Sequence, residues 1–354
     1  MNSKGNSSFI ILGDLHLGVR NASSILANYQ LDFFETQLFP YMEKNGIDTI
    51  LQLGDMFDSR KFSSHLILHM WKKRFFEVLE SKGYKLIILV GNHDIPMRNS
   101  IKINSPNLLL ASSYSNVTVI DQPSHVDIKG IEFLIIPWIC DENREEVYKM
   151  VESSPSIYCA GHFEFSGFEM QKGVVGSGGE STAEFSKFDL VLSGHYHTKS
   201  MKGNILYTGV PYEMTWADFN DTKGFHEFNT NTHKLKFIKN TSSLFHKLEY
   251  DDSTSSPIPP SNLKGNYIKV VVINKTDPYK FEKFITNIVS QDIADLKITD
   301  IEIDLDDVEL DNLELEDTKT LMTTFVSQVE TDLDKTKIKN LLHSLYLQAL
   351  EITD

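Results

Sequence analysis

The chain has 354 residues, 41% of them hydrophobic, and a formal net charge of −15 at pH 7. This length and composition predict one large domain with smaller additions and enough apolar surface to fold unaided. Because no run of about 18 apolar residues occurs, we expect no membrane-spanning helix, and the N-terminus lacks the apolar segment of a signal peptide. The two cysteines, Cys140 and Cys159, lie in apolar contexts and are expected to be buried free thiols of a cytoplasmic protein.

The negative charge is concentrated near the C-terminus. Residues 291–354 hold five lysines against seventeen aspartates and glutamates, which leaves the first 290 residues with a net charge of only −3. The acidity therefore does not exclude a nucleic-acid partner, although no basic stripe predicts a surface for duplex DNA. Any contact with DNA would need the help of metal ions or of a partner protein.

Apolar segments in the first 200 residues predict β-strands. These segments are continuously apolar rather than alternating, so each strand is expected to be covered on both faces. Helical patterns lie around 23–44 and 64–82, and 117–139 has the pattern of hairpins. Together these elements predict an α/β fold, a sandwich of two mixed sheets with helices outside. The principal strand candidates are 9–14, 49–55, 85–92, 156–162 and 189–195.

The sequence after about residue 205 predicts smaller structural units. Short β-like segments lie between about 205 and 240, and the polar, Pro-rich and Ser-rich segment 250–262 predicts a linker or exposed loop. A β-α-β pattern follows at 266–305, and two amphipathic helical patterns end the chain. We therefore expect a disordered tail at 1–8, a main domain at 9–245, a small α+β capping domain at 246–315 and a C-terminal helical pair at 316–354.

Each principal strand candidate ends in a glycine followed by an aspartate, an asparagine or a histidine, which are residue types that can bind metal. Ligands of α/β sheets lie at the carboxyl ends of the strands, so these remote segments can converge on one place. The pairs Asp14-x-His16 and His195-x-His197 put both side chains on one face of an extended backbone. Nitrogen and oxygen donors without thiolates fit manganese, iron or zinc, and the size of the set suits two ions bridged by a carboxylate. The candidates are Asp14, His16, Asp55, Asp58, Asn92, His93, Asp94, His162, His195 and His197.

These motifs resemble those of the calcineurin-like metallophosphoesterases, and within them the nuclease subunits of SbcCD-type (meiotic-recombination) double-strand-break repair complexes, especially the bacteriophage branch. The segments IPWICDEN, SGHYHT and YTGVPYEMT extend the resemblance over nearly the whole chain. It implies a DNA exonuclease and endonuclease that hydrolyses phosphodiester bonds with two Mn²⁺ ions, or with Mg²⁺, at double-stranded ends and hairpins. It also implies location in the host cell cytoplasm if the chain is phage-encoded.

The resemblance further implies partners. An SMC-like coiled-coil ATPase would bind the C-terminal helical pair, although the apolar faces of these helices could instead pack on their own domain. A homodimer would form through helices near 64–82 and 104–112, within a heterotetramer. The small domain would contact DNA, which rests on the resemblance because this segment carries little motif evidence.

The resemblance also implies a role for each candidate residue. His93 would face the scissile phosphate, where it stabilises developing charge or protonates the leaving oxygen. Asp58 would orient His93, although some archaeal relatives have a histidine at that position, and Asp94 would fix the loop. One ion would be held by Asp14, His16 and His197, and the other by Asn92, His162 and His195, with Asp55 as the bridge.

Other functions are consistent with parts of the pattern. Phosphoprotein phosphatases share the metal motifs, but they carry Arg-Gly directly after the second aspartate, whereas Ser59 and Arg60 follow Asp58 in this chain. A non-catalytic scaffold is a third hypothesis, although all the expected ligand types are present. His65 and His69 lack the glutamate of an H-E-x-x-H zinc motif and are expected on a solvated helix surface.

Basic residues follow the ligand motifs closely. They could contact DNA phosphates, but ordinary surface charge explains them equally well. The Gly-rich segment SGGEST lacks the lysine of a Walker A loop, so no nucleoside triphosphate site is expected in this chain. The basic candidates are Arg20, Arg60, Lys61, Arg98 and Lys102.

Overall fold

The computed structural model describes residues 6–97, 99–171, 174–175, 179–253 and 257–300. The predicted C-terminal helical pair at 316–354 and Arg98 lie outside the described residues. The strands are, in chain order, β1 (Ser8–Leu12), β2 (Thr49–Gln52), β3 (Lys85–Leu89), β4 (Val117–Ile120), β5 (Ser124–Ile128), β6 (Ile131–Ile136), β7 (Tyr158–Gly161), β8 (Glu169–Gln171), β9 (Val174–Val175), β10 (Leu190–Ser193), β11 (Ser200–Lys202), β12 (Ile205–Tyr207), β13 (Gly224–Asn229), β14 (Lys234–Lys239), β15 (Phe245–Asp251), β16 (Tyr267–Asn274) and β17 (Asp295–Asp300).

Helices connect many of these strands. The regions predicted as helical around 23–44 and 64–82 are confirmed, although each contains a π-helical turn (Phe34–Leu38 and Lys72–Phe76), and a further π-helical turn covers Asn107–Ala111. Short 3-10 turns lie at Ala183–Phe185 and Trp216–Asp218. The α-helices are α1 (Val19–Ala22), α2 (Ser24–Phe33), α3 (Phe39–Asn45), α4 (His65–Trp71), α5 (Glu77–Lys82), α6 (Arg144–Ser153) and α7 (Pro278–Val289).

Local sequence explains where several helices begin and end. The Ser23 hydroxyl accepts a hydrogen bond from the Leu26 amide at the start of α2, and Asp277 caps α7 just before Pro278. Gly46 ends α3 with a φ of 64°, the left-handed conformation that favours glycine at this position. These signals explain where α2 and α7 begin and where α3 ends.

Two six-stranded mixed sheets form the main domain. The first sheet has the order β14-β13-β1-β2-β3-β4, and the second has the order β11-β12-β10-β7-β6-β5. Strands β1 to β4 run parallel in the first sheet, as do β6, β7, β10 and β12 in the second. The α/β sandwich predicted from the sequence is therefore confirmed.

The inner faces of the two sheets pack against each other. Phe9 of the first sheet meets Phe133 of the second with ring centroids 5.7 Å apart, in an edge-to-face arrangement. On its outer face the first sheet is covered by helical residues such as Phe34, Trp71 and Phe75, which are all fully buried. Burial on both faces explains why these strands are continuously apolar.

Three details differ from the sequence-based expectations. Val117–Ile120 was expected to form a hairpin with the segments after it, but β4 extends the first sheet parallel to β3, and only β5 and β6 form a hairpin. The disordered tail was predicted to include residue 8, yet Ser8 begins β1. The segment 250–262 begins inside β15, and its described residues after Asp251 belong to the connection between the parallel strands β15 and β16.

A small parallel sheet follows the main domain. Its order is β15-β16-β17, and α7 connects β16 to β17, as the β-α-β pattern predicts. Phe284 and Ile288 of α7 pack with Tyr250 and Ile268 in a separate apolar core. Cys140 and Cys159 are buried free thiols, as expected. No helix among the described residues is long and apolar enough to cross a membrane.

Candidate dinuclear metal site

The carboxyl ends of β1, β2 and β3 lie side by side because these strands are parallel neighbours in the first sheet. In the second sheet, β7 and β10 are also parallel neighbours. The main-chain amide of His195, after β10, donates to both oxygens of Asp14, after β1, at 3.0 and 3.1 Å. This contact joins the two sheets at the point where the predicted ligands converge.

The first ligand group consists of Asp14, His16 and His197. The Nε2 atoms of the two histidines lie 3.2 Å apart, and each is 3.9 Å from Oδ2 of Asp14. One donor atom from each of the three residues lies within 4.8 Å of the others. The structure therefore brings together the three residues predicted to hold one ion.

The second ligand group consists of Asn92, His162 and His195. Oδ1 of Asn92 lies 2.8 Å from Nε2 of His162 and 3.1 Å from Nδ1 of His195. The other ring nitrogen of His162, Nδ1, lies 2.7 Å from the main-chain carbonyl of Leu53. Because a carbonyl only accepts, Nδ1 carries a hydrogen, so Nε2 is the nitrogen that can bind a cation once it has lost its own proton.

Asp55 lies between the two groups. Its Oδ2 is 3.2 Å from Nε2 of His162 and 3.8 Å from Nε2 of His16. Gly54, at a φ of 92°, and Asp55 itself, at 52°, are left-handed, which turns the chain sharply after β2. A side chain on Gly91 would clash with the Asp55 carboxylate, so glycine is required where the loop after β3 passes.

His93 has a different partner from the one expected. Its Nδ1 lies 2.7 Å from the main-chain carbonyl of Asp58, whereas the Asp58 carboxylate lies 3.2 Å from Nδ1 of His16. The predicted pairing of Asp58 with His93 therefore involves the backbone of Asp58, and its side chain faces a residue of the first ligand group. The main-chain amide of His93 donates to Oδ1 of Asp55 at 2.8 Å.

Asp94 fixes the loop, as expected from the sequence. Its fully buried carboxylate accepts hydrogen bonds from the amides of Gly91, Met56 and Phe57 at 2.9, 3.3 and 3.0 Å. These bonds hold the loops after β2 and β3 together. Burial and the nearby Asp55 raise the pKa of Asp94 to about 7.

Burial and neighbouring charges shift pKa values throughout the site. Burial raises the pKa of Asp14 to about 6. Burial would also raise the pKa of Asp55, but His162, His93 and His16 outweigh it and hold the pKa well below its usual range. These opposed shifts show that the two carboxylates differ in their surroundings, although each lies within 4.0 Å of ring nitrogens of both His16 and His162.

The histidines fall into two classes. Burial lowers the pKa of His16 and of His162, but the surrounding carboxylates outweigh it and raise each pKa to about 9. Burial and the neighbouring His16 lower the pKa of His197 to about 3, and burial and His162 lower that of His195 well below its usual value. Without a cation, each ligand group therefore pairs one protonated imidazole with one neutral imidazole at neutral pH.

Sequence reasoning missed several residues that support the ligand loops. The carbonyl of Leu15 accepts hydrogen bonds from Tyr212 and Gln30 at 2.8 and 3.1 Å. The ring of Trp138 lies 5.3 Å from that of His195, which makes it a wall of the second ligand group. Trp138 lies within the segment IPWICDEN, so its place near the site could have been predicted from that motif. Tyr212 and Gln30 have no local sequence pattern that predicts a contact with the site.

The basic candidates lie in different environments. The guanidinium of Arg20 lies 5.2 Å from the ring centre of Tyr267 in the small sheet, a structural contact between the two parts of the fold. Lys61 is exposed, and Lys102 forms an ion pair with Glu142. Burial lowers the pKa of His93, and Arg60 is near enough to contribute to this shift. His65 and His69 are exposed, as predicted.

The donor set fits divalent cations. It consists of carboxylate, amide and imidazole atoms without sulfur, the combination that suits first-row divalent ions. Within each ligand group the donor atoms face one another, and in the first group two imidazole Nε2 atoms approach to 3.2 Å. Such close donors gain from a shared cation, which makes the site suitable for two ions next to Asp55.

The sequence is similar to those of known phosphoesterases. A family model described as calcineurin-like phosphoesterase matches residues 7–199. "Exonuclease subunit 1" of Enterobacteria phage T4 is 33% identical over 344 residues, which covers 96% of this chain and 98% of that protein.

More distant relatives come from other viruses. "Putative phosphoesterase 078R" of Invertebrate iridescent virus 3 is 24% identical over 57% of this chain and 56% of its own length. "Putative phosphoesterase 244L" of Invertebrate iridescent virus 6 is 25% identical over 61% of this chain and 74% of its own length. The family match covers more than half of this sequence and includes every proposed ligand, so the chain belongs to the calcineurin-like phosphoesterase family.

Proposed function

We propose that the chain is a metal-dependent DNA nuclease, with exonuclease and endonuclease activity, in a complex for DNA end processing and recombination. The observation that carries the proposal is the convergence of two ligand groups on Asp55 at the carboxyl ends of the strands. The similarity to a phage protein named as an exonuclease subunit, over nearly the full length of both chains, supports DNA as the substrate.

The proposed cofactors are two Mn²⁺ ions, with Mg²⁺ as the alternative. Asp14, His16 and His197 would hold one ion, the second ligand group would hold the other, and Asp55 would contact both. When bound, two divalent cations lower the pKa of water and neutralise the charge that builds on phosphate oxygens. The chain's part is to fix donor atoms from both sheets at one edge.

His93 is the proposed catalytic residue that faces the scissile phosphate. Its Nδ1–H donates to the Asp58 carbonyl, which fixes the ring orientation and leaves Nε2 for substrate. A protonated Nε2 would donate to the leaving oxygen as the phosphodiester bond breaks. The contact of the His93 amide with Asp55 keeps this ring next to both ligand groups.

Asp58 has a different proposed role from the one implied by the resemblance. Its carboxylate lies 3.2 Å from Nδ1 of His16, in the position of a group that orients a metal-binding histidine and raises its basicity. Its carbonyl orients His93 at the same time. One residue thus serves the first ligand group with its side chain and the catalytic histidine with its backbone.

The proposed assembly contains a second copy of this chain and an SMC-like coiled-coil ATPase. Leu66 of α4 and Leu108 are 59% and 67% exposed, and Phe62 before α4 is 80% exposed. These apolar side chains support homodimerisation through helices near 64–82 and 104–112. The ATPase would bind the helical pair at 316–354, a proposal that rests on the sequence resemblance and is tested by co-purification after removal of that segment.

A nuclease assay tests the function. We expect the chain with Mn²⁺ to degrade linear duplex DNA and to open hairpins, and we expect EDTA to abolish both activities. His93→Ala should reduce turnover by about 10² to 10⁴, the usual contribution of a general acid, while Mn²⁺ binding is retained. The matched control is His125→Ala, which removes a histidine of β5, the edge strand of the second sheet, whose Nε2 contacts Ser154.

Several results would contradict the proposal. Hydrolysis of a phosphate monoester such as nitrophenyl phosphate without cleavage of DNA would favour a phosphatase. Loss of Mn²⁺ binding by His93→Ala in proportion to activity would exclude its catalytic role. Asp58→Asn tests the side-chain role of that residue, because it removes the carboxylate next to His16 and keeps the carbonyl that contacts His93. Weaker Mn²⁺ binding supports orientation of His16, whereas unchanged binding would contradict it.

A further inference from the structure

Lys223 is a buried cation that reaches the loop carrying His197. The residue lies immediately before β13 and is only 4% exposed. Its Nζ donates to the main-chain carbonyl of His197 at 3.0 Å and lies 2.6 Å from Oδ1 of Asp218 and 2.8 Å from Oδ2 of Asp221. A buried ammonium group is stable only with such partners, so the contact with His197 belongs to a fully paired charge network.

The network connects three parts of the main domain. Lys223 is continuous with β13, which pairs with β1 in the first sheet. Asp218 accepts hydrogen bonds from the amides of Met214 and Thr215 and so holds the turn after Pro211. His197 comes from the second sheet, beyond β10. The ammonium of Lys223 therefore fixes a loop of one sheet to the frame of the other.

The carbonyl of His197 is held from two sides. It accepts hydrogen bonds from Nζ of Lys223 and from the amide of Val210, the latter at 3.2 Å. The His197 side chain is 24% exposed, whereas that of Asp14 is 2% exposed, so packing alone constrains the imidazole less than the carboxylate. Fixing the backbone of His197 is then the direct way to fix the position of its ring.

Other ligand loops are held by neutral donors. Tyr212 and Gln30 donate to the carbonyl of Leu15, between Asp14 and His16, and Gln52 donates to the carbonyl of Gly13 at 3.2 Å. A hydrogen bond from a charged donor is about twice as strong as one between neutral groups. The carbonyl of the partly exposed His197 thus accepts the stronger, charged hydrogen bond, from Lys223.

We infer that Lys223 is a positioning residue of the metal centre, whose ammonium group holds the backbone of His197 so that its imidazole meets Asp14 and His16. The inference rests on the proposed role of His197 as a metal ligand. The contact of Lys223 with the metal centre is made to the carbonyl of His197, so we expect its effect to pass through that residue. Removing it should weaken the ion held by the first ligand group and leave the second ion unchanged.

The test is a titration of the metal-free full chain with Mn²⁺, followed by electron paramagnetic resonance and by calorimetry. We expect the wild type to bind two ions. Lys223→Met should weaken one of them about 10- to 100-fold, as for other groups that orient ligands, and Lys223→Arg should restore much of the affinity. The matched control is Lys187→Met, since Lys187 also donates to main-chain carbonyls, of Val151, Glu152 and Ser154.

A second measurement separates positioning from general destabilisation. In a background that already carries His197→Ala, Lys223→Met should cause no further loss of Mn²⁺ affinity, because the ring that it positions is gone. If Lys223→Met folds poorly, the double variant Lys223→Met with Asp218→Asn takes its place, because it removes both charges of the more buried ion pair and leaves only the partly exposed Asp221.

The outcomes distinguish this inference from the proposed function. Two ions in the wild type with unchanged affinities in folded Lys223→Met would overturn the positioning role alone. Additive losses in the His197→Ala background would overturn it as well. A wild type that binds no Mn²⁺ would overturn the metal assignment, and the inference would fall with it.

Discussion

The two ligand groups have the same number of donors but differ in charge. The first contains the Asp14 carboxylate, and a second carboxylate, that of Asp58, lies 3.2 Å from His16. The second has the neutral amide of Asn92 in the corresponding place, and its His162 donates to the carbonyl of Leu53. Ligand charge is a main determinant of cation affinity, so we infer that the first ion binds more tightly than the second.

Asp55 is the residue that the two groups share. Its Oδ2 approaches a histidine of each group, at 3.2 Å for His162 and 3.8 Å for His16. A cation in either group would therefore share this carboxylate with the other. The two groups therefore differ in the charge of the ligands that belong to one group only, and they are linked through one shared carboxylate, that of Asp55.

The largest expected effect comes from removing the shared charge. Asp55→Asn should weaken both ions and reduce nuclease activity by about a thousandfold or more, because each group loses its common anionic donor. The amide oxygen of the new residue can still accept from the His93 amide, which keeps the local backbone bond. Mn²⁺ titration and a duplex DNA assay measure the two effects.

A matched control for this variant lies in the small sheet. Asp252 is also a buried aspartate, and it accepts hydrogen bonds from the amides of Thr276 and Asp277. Asp252→Asn should leave both Mn²⁺ ions in place. Loss of a single ion in Asp55→Asn, with the other at wild-type affinity, would show that Asp55 is a terminal ligand and not a bridge.

A smaller and more selective effect should follow from Asn92→Ala. This change removes a donor whose Oδ1 contacts His162 and His195 of the second ligand group, so we expect the weaker ion to lose affinity by about a hundredfold. The tighter ion should keep its affinity. The reciprocal variant Asp14→Ala should weaken the tighter ion instead, and a calorimetric titration resolves the two sites. If both variants affect the same ion, the division into two groups is wrong.

Much of the site could be predicted because polar residues end continuously apolar strands. Asp14 and His162 each follow a fully buried strand, and a parallel sheet brings such ends together whatever their separation in sequence. The contact of His93 with Asp58 could not be predicted in detail. It involves a main-chain carbonyl, which every residue has, so no side-chain pattern identifies it.

The supporting residues were also beyond sequence reasoning. Tyr212 and Leu15 are 197 positions apart, and Lys223 and His197 are 26 apart, with no shared motif. Their pairing follows only from the way the two sheets pack. The position of β4 shows the same limit, because the segment Val117–Ile120 is compatible with a local hairpin and with the longer parallel connection to β3 that the structure has.

The smallest expected difference between the two groups is in how their cation affinities depend on pH. Without cations, His16 and His162 have pKa values of about 9, so both rings are protonated at pH 7. A cation needs the lone pair of each ring, so each group should release about one proton as it fills. Between pH 7 and 8 the affinity of both ions should therefore rise about tenfold per pH unit.

Below about pH 6 the affinities of the two ions should depend on pH to different extents. The pKa of Asp14 is about 6, so acidification adds a second competing proton to the first group, whereas the amide of Asn92 does not titrate. The affinity of the tighter ion should then fall about a hundredfold per pH unit, and that of the weaker ion only about tenfold. Calorimetry in buffers of different ionisation enthalpy counts these protons directly. Equal proton release by both ions at pH 5 would mean that the charge difference between the groups does not control their affinities.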